Sequence, residues 1–286
     1  MNAFRRYWLT WSVLALGFAF LYVPILILMV YSFNESKLAS VWSGFSFKWY
    51  GALFRDRDML SAAWLSLKLA FFTATGAVVL GTLASLVMTR MRHFRSRTLF
   101  GALITAPLVM PEVILGLSLL LLFVSMGNVL NGLGIGQFQP KGVLTLWIAH
   151  VTFTLAFVTV VISSRMSELD KSLEEAAMDL GANRVKVFFQ ITLPIIAPAL
   201  VSGWLLAFTL SLDDVVISSF VSGPGSTTLP IKVFSSVRLG LNPKINALAT
   251  IMVAIVSLVA VLGWWWMRRE ERRRQRDMQL AMQDKG

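Results

Sequence analysis

Six windows of roughly 20 or more mostly apolar residues, separated by short connections that hold nearly all the charge, constrain this chain more than any other feature. They cover residues 11–31, 61–88, 99–126, 142–163, 195–221 and 246–267. Each is long enough to cross a hydrocarbon core of about 30 Å as an α-helix, the one single-segment conformation that satisfies its own backbone groups there. The predicted fold class is all-α integral membrane, with six transmembrane helices in a single transmembrane domain over residues 1–286. Composition agrees. The chain is 56% hydrophobic and 14% charged, against about 25% charged in a soluble domain. Arg5 and Arg6 before the first window imitate a signal peptide. That window is too long for one and no small-residue cleavage site follows, so a retained helix is expected.

Charge sets the expected orientation, because Lys and Arg are retained on the cytoplasmic side. The N-terminal segment and every second connection carry 17 of the 26 basic residues, and the other face carries 8, with Lys68 inside the second window. Both termini are therefore expected in the cytoplasm. The net charge of +11 is read mainly as a topology signal. The basic tail at 268–276 is expected to anchor the last helix beside anionic lipid. No nucleic-acid partner is expected, since no fold or aromatic context supports one. Cysteine is absent and only His93 and His150 are present, which excludes thiolate chemistry and argues against a metal site. No catalytic residue and no cofactor bound by this chain is expected.

Between the fourth and fifth windows, over residues 168–194, lies a segment too polar to span. Ser172 followed by Glu175 fits a capping box. Leu173, Ala176, Ala177 and Leu180 fall at i, i+3, i+4 and i+7 and form one apolar stripe. Glu174, Glu175 and Asp179 face elsewhere. Gly181 suits the left-handed position that ends a helix, Asn183 starts a second short helix, and Pro194 marks the beginning of the fifth span. The product is a cytoplasmic helix–turn–helix elbow. An ordinary helix lying on the bilayer is the alternative, but an acidic helix is poorly suited to an anionic leaflet, which favours a protein partner.

Glu175-Ala176-Ala177, then Gly181, then Ile191-x-Leu193-Pro194 resembles the EAA loop of ABC-importer permeases at every defining position. Trp42–Tyr50, Ala106–Ile114, Phe208–Asp214, Ser222–Gly225, Thr228–Pro230 and Asn242–Ala247 are similar to spermidine/putrescine-type permeases, most of all the second permease of putrescine systems. Lys244 departs from the acidic residue expected there. The resemblance implies a type I ABC importer permease architecture in a bacterial inner membrane, with an elbow that serves as a coupling helix. Glu174, Glu175, Ala176, Ala177, Asp179, Gly181, Leu193 and Pro194 would be the ATPase-coupling residues. It also implies a homologous second permease, a cytoplasmic ABC ATPase dimer that holds ATP and Mg, and a periplasmic polyamine-binding protein.

Ionisable residues within membrane helices usually face a pathway or a partner. Lys68 is expected to snorkel from the outer end of the second span. Glu112, flanked by Pro107 and Pro111, lies about 20 Å along the third span as a continuous helix. Asp213 and Asp214, read as helical, differ by about 100° around the axis, so one would face the path and the other a neighbouring helix or a network with Ser211, Ser218 or Lys68. Together with Trp204 and Phe208, these carboxylates suit a cation carrying ammonium groups on an apolar stem. Polyamine, putrescine first, is the expected cargo. Ferric iron or thiamine is the alternative within the importer class. An integral membrane enzyme would need a catalytic cluster, and both histidines look isolated from any carboxylate pair. The turn at 223–228 lacks the Lys of a phosphate loop and is expected to be an ordered or reentrant turn.

Overall fold

The computed structural model describes residues 3–37, 41–91, 95–134, 138–239 and 243–258, together with 261, 265, 268 and 269. The named elements are helical. They run α1 Ala3–Tyr31, α2 Lys48–Phe54, α3 Arg57–Arg90, α4 Arg97–Val109, α5 Glu112–Gly132, α6 Val143–Glu168, α7 Lys171–Asp179, α8 Arg184–Val187, a π-turn Phe188–Thr192, α9 Leu193–Leu212, α10 Val216–Val221 and α11 Leu229–Leu239. A further apolar helix, α12, covers Pro243–Leu258. The rest of the expected sixth span, as far as 267, is described only at 261 and 265, and the tail from 270 onward lies outside the described residues. The chain divides into two compact units, Met1–Arg57 with Ser236–Gly286, and Asp58–Ser235.

In the first unit, α1 is an apolar helix whose membrane-length window is 0% buried within the chain. After it, the turn from Phe33 to Tyr50 builds a small aromatic core. Phe33 stacks on Phe45 at 5.3 Å and meets Phe47 and Tyr50 at 5.4 and 5.3 Å. Asn34 ties the turn together. Its side chain donates to the Val41 carbonyl at 2.7 Å and accepts from the Ser43 N–H at 3.0 Å, while Trp49 Nε1 donates to its carbonyl at 2.8 Å. Lys244 at the start of α12 pairs with Asp56 at 3.1 Å. The basic residue that departs from the resemblance therefore has a carboxylate at hand.

In the second unit, α6 is the axis, with 61% of its span window buried. Lipid tails are as apolar as leucine, so association inside a bilayer depends on close packing, which small residues permit. Val158 of α6, 0% exposed, shows how. A Cβ on Gly81 of α3 would stand 2.9 Å from its Cγ1, and one on Gly203 of α9 would stand 3.3 Å away. Two glycines thus grip one valine from two helices. Farther along, Leu115, Leu119 and Phe123 of α5 pack with Leu146, Ala149 and Phe153 of α6 and Ile217 and Val221 of α10.

Two expected spans are broken. The third window is α4 and α5, separated at Met110 and Pro111, whose ψ values of 135° and 134° are extended. Pro111 has no N–H to continue the ladder and forces extended backbone on the residue before it. Glu112 is therefore not deep in a continuous helix; it occupies the first turn of α5. The fifth window ends its helix at Leu212, and α10 restarts at Val216, so Asp213 and Asp214 are not helical neighbours. In the other direction, Pro194 stands in the first turn of α9, as the sequence predicts, but helix also precedes it. The helical run is continuous from Arg184 to Leu212. A π-turn over Phe188–Thr192, with the Leu193 N–H bonded to the Phe188 carbonyl, widens the helix just before a residue that lacks its own donor.

Candidate functional site

Three groups of residues carry the functional candidates: the elbow, the break between α9 and α10, and the aromatic stack on α9. The elbow's first helix, α7, is capped by Asp170 rather than Ser172, and the expected capping box does not form. The Asp170 carboxylate accepts from the Ser172 N–H at 3.0 Å. That bond, with help from the Ser172 hydroxyl, holds its acid below the ordinary carboxylate value. The helix ends as the sequence predicts. Gly181 has φ of +87°, the Gly181 N–H bonds the Met178 carbonyl at 2.9 Å, and the Ala182 N–H bonds the Ala177 carbonyl at 3.0 Å. This pair of bonds is a Schellman motif. Asn183 then caps α8 by accepting from the Lys186 N–H at 2.8 Å.

The outward face of α7 is apolar and bare. Leu173 is 50% exposed and Leu180 90% exposed. Ala176, Glu175 and Asp179 are exposed beside them, and Ala177 is half-buried. Glu174 turns the other way. Its Oε1 accepts from Arg90 Nη2 of α3 at 2.8 Å and from Thr192 Oγ1 at 2.8 Å. A cavity of about 640 Å³ opens beside this bond pair, bounded by Leu83, Leu86, Lys171, Phe188 and Phe189. Glu174 therefore leaves the set expected to face a partner. Arg90 and Thr192, which no local pattern singles out, enter the site. Leu193 is half-buried and Pro194 exposed within the continuous helix.

At the α9–α10 break the adjacent carboxylates part company. Asp214 is 8% exposed. It accepts from the Ile217 N–H at 3.1 Å and the Ser218 N–H at 2.7 Å, so it caps α10. Its Oδ2 also lies 3.3 Å from His150 Nε2. His150, 1% exposed, has Nδ1 2.8 Å from Ser211 Oγ and Nε2 2.9 Å from Ser218 Oγ. The histidine that looked isolated in sequence is the hub of a buried network across 61 and 68 residues of chain. It is not a hydrolytic triad. There the carboxylate and the nucleophile use opposite ring nitrogens, whereas here Asp214 and Ser218 share Nε2, and Ser218 is 0% exposed. Lys68 is not part of the network; it lies over the Trp64 ring at 5.0 Å. Asp213, by contrast, is exposed.

The remaining candidates divide between two places. Trp204 and Phe208 stack at 5.2 Å with an interplanar angle of 15°. Phe71 of α3 meets Trp204 edge-on at 5.6 Å, and Trp204 Nε1 donates to Thr75 Oγ1 at 3.2 Å. Glu112 is exposed, one turn from Gly116. A Cβ on Gly116 would stand 2.7 Å from Phe220 and 3.3 Å from the Ile217 backbone, so the start of α5 approaches α10. The turn at 223–228 is ordered, as expected. Ser226 bridges the Gly223 N–H and carbonyl at 2.6 and 2.9 Å.

Comparison with known proteins gives the following. The family described as "Binding-protein-dependent transport system inner membrane component" matches residues 77–276. The chain is 60% identical to the putrescine transport system permease protein PotI of Escherichia coli (strain K12), over 94% of each chain. It is 42% identical to the spermidine/putrescine transport system permease protein PotC of Haemophilus influenzae, over 87% of this chain and 93% of that one. A solved bacterial alginate ABC transporter in complex with its pentasaccharide-bound periplasmic protein contains a chain of similar fold. Its TM-score is 0.70 at 20% identity, covering 90% of this chain and 93% of that one.

Proposed function

This chain belongs to the family of inner membrane components of binding-protein-dependent transport systems, and from that membership we propose that it imports putrescine by alternating access as one of two permease subunits. It is a multi-pass inner membrane protein and a transport subunit of the ABC importer class, not an enzyme. The observation that carries the cargo is its 60% identity, over 94% of both chains, to a putrescine permease.

The geometry supports a division of labour. The bare face of α7, with Leu173, Ala176 and Leu180 rimmed by Glu175 and Asp179, docks on a cytoplasmic ABC ATPase dimer, where ATP and Mg are held. Apolar surface of that kind, exposed on a capped surface helix, marks a protein interface. The basic asymmetry of the connections puts this elbow and both termini in the cytoplasm. A periplasmic polyamine-binding protein delivers the cargo to the opposite face. Asp213, exposed beside a break in α9, and Glu112, exposed at the start of α5, supply carboxylates to ammonium groups along the path. Trp204 and Phe208 offer aromatic faces to the methylene stem and its charges. Asp214 is held back by His150 and α10, and its role is to fix the break that presents Asp213.

The test is uptake of labelled putrescine into proteoliposomes that hold both permeases and the ATPase, with the cognate binding protein outside. Putrescine uptake that requires ATP and the binding protein is the expected result. A cognate binding protein that binds no polyamine would reject the cargo.

A further inference from the structure

We propose that Glu174 is a positioning residue that ties α7 to α3 and α9 at once, so that a displacement of α7 reaches both membrane helices without passing through the connecting chain. This rests on the reading of α7 as the ATPase-facing element.

A single carboxylate oxygen, Glu174 Oε1, receives Arg90 Nη2 at 2.8 Å and Thr192 Oγ1 at 2.8 Å. The Arg90 and Glu174 side chains are only 20% and 15% exposed, and Thr192 is 2% exposed. Water competes weakly there, and charge-assisted bonds of this length are the strong kind.

The covalent route makes the tie necessary. From α7 to α9 the chain runs through the left-handed Gly181, the four residues of α8 and the π-turn Phe188–Thr192. The helical run is unbroken from Arg184 to Leu212, so the joint in this route is the turn at Gly181, Ala182 and Asn183, where the α7 ladder stops and a new cap begins. Thr192 is the last residue of the π-turn and the residue that leads into α9, so the bond from Glu174 lands past the Gly181 turn and on the run that becomes α9. Arg90 is the last residue of α3 and stands 84 residues from Glu174 in sequence. The ion pair connects two elements that the chain itself joins only by a long detour.

Glu174 is turned inward while Glu175, Leu173, Ala176 and Leu180 are exposed. Adjacent carboxylates thus take different tasks: one is free for the partner, and the other fastens the helix that the partner pushes.

The experiment uses the complete reconstituted importer carrying Glu174→Gln, Arg90→Gln or Thr192→Val. The chain has no cysteine, so spin labels at Ser172→Cys and Met91→Cys report the α7–α3 distance without background. Expected is a narrow distance distribution in the parent protein at every nucleotide state and a broadened one in Glu174→Gln. Transported putrescine per ATP should fall while the ATPase stays bound. Restoration of the ratio by the swap Arg90→Glu with Glu174→Arg supports the tie over a merely structural carboxylate. A parent-like distance distribution and transport ratio in Glu174→Gln overturn it. If Glu174→Gln does not reach the membrane, Thr192→Val, nearly the same shape, is judged by the same two readouts. Ala176→Asp on the bare face separates this idea from the reading beneath it. If it releases the ATPase while Glu174→Gln behaves as the parent, only the tie fails; if it leaves the ATPase bound, the docking face and the tie fail together.

Discussion

Gly181 offers a prediction whose sign depends on the physical reason for a glycine. Its φ is +87°, and a Cβ built there meets nothing within 4 Å. Inside this chain, then, the cost of a side chain is conformational and not steric. Alanine in the left-handed region is disfavoured by about 1–2 kcal/mol, partly offset by the entropy that glycine loses on folding. A net cost near 1 kcal/mol shifts the elbow's terminus about fivefold toward the frayed form. The Schellman bonds to Met178 and Ala177 open with it, and Leu180 loses its fixed position. Asparagine is larger but tolerates the left-handed region. Valine, stiff at χ1, suits it worst. The expected order of ATPase retained on purified permease is Gly181, then Gly181→Asn, then Gly181→Ala, then Gly181→Val. Co-purification at graded salt with matched permease levels measures it. If Gly181→Ala binds better than Gly181→Asn, size is what matters. The glycine would then serve close approach by the partner, and the conformational argument would be wrong.

Other outcomes follow from the packing. Gly81→Ala puts a Cβ 2.9 Å from Val158 Cγ1, overpacking that costs about 1–3 kcal/mol and should lower the melting temperature in detergent. Gly132→Ala, with nothing within 4 Å, should not. Lys244→Gln removes an ion pair to Asp56 whose side chains are 27% and 25% exposed, so the stability change should stay below about 1 kcal/mol and shrink in high salt. A larger, salt-independent loss would point to packing by the lysine stem. Asp170 caps α7 with a depressed acid, so the cap is complete above the ordinary carboxylate range and lost as pH falls through its lowered value. A spin label at Glu175→Cys should keep constant mobility from pH 8 to 5 and loosen only below about pH 4. Loosening between pH 8 and 6 would assign the change to another group.

The parts of this fold legible in sequence are those set by local chemistry. Span-length apolar windows, the glycine that ends α7 and the asparagine that caps α8 need only neighbours to act. What stayed hidden depends on partners far along the chain or on competition between adjacent options. Asp170 and Ser172 are both good N-caps, and only the backbone path decides for Asp170. The breaks at Pro111 and at Asp213 disappear when hydropathy is averaged over a span, because two short helices and one long one have the same mean. Pro107 and Pro111 mark an interruption of the ladder in sequence, since proline removes a donor and restricts the residue before it, but not that two separate helices result. Nothing local could pair His150 with Asp214, or Arg90 with Glu174 across 84 residues.

Both adjacent acid pairs resolve by one rule. In Glu174–Glu175 and in Asp213–Asp214, one carboxylate is consumed by the chain's own cations and donors and its neighbour is left exposed. An unpaired carboxylate against apolar surroundings is expensive, so the member of each pair that finds donors on packing becomes structural, and the other is left exposed to a partner or a cargo. The rule predicts how neutralising substitutions divide. Asp214→Asn removes a buried acceptor of the Ile217 and Ser218 N–H groups beside His150, and a buried donor left unsatisfied costs about 1–3 kcal/mol; it should melt the complex early. Asp213→Asn removes no bond that holds α10 and should leave the melting temperature alone while slowing putrescine uptake. The two measurements are independent, so the assignment is open to refutation from either side. An Asp214→Asn protein of full stability but lost uptake, or an Asp213→Asn protein that melts early, would exchange the roles and place the cargo's carboxylate beside His150.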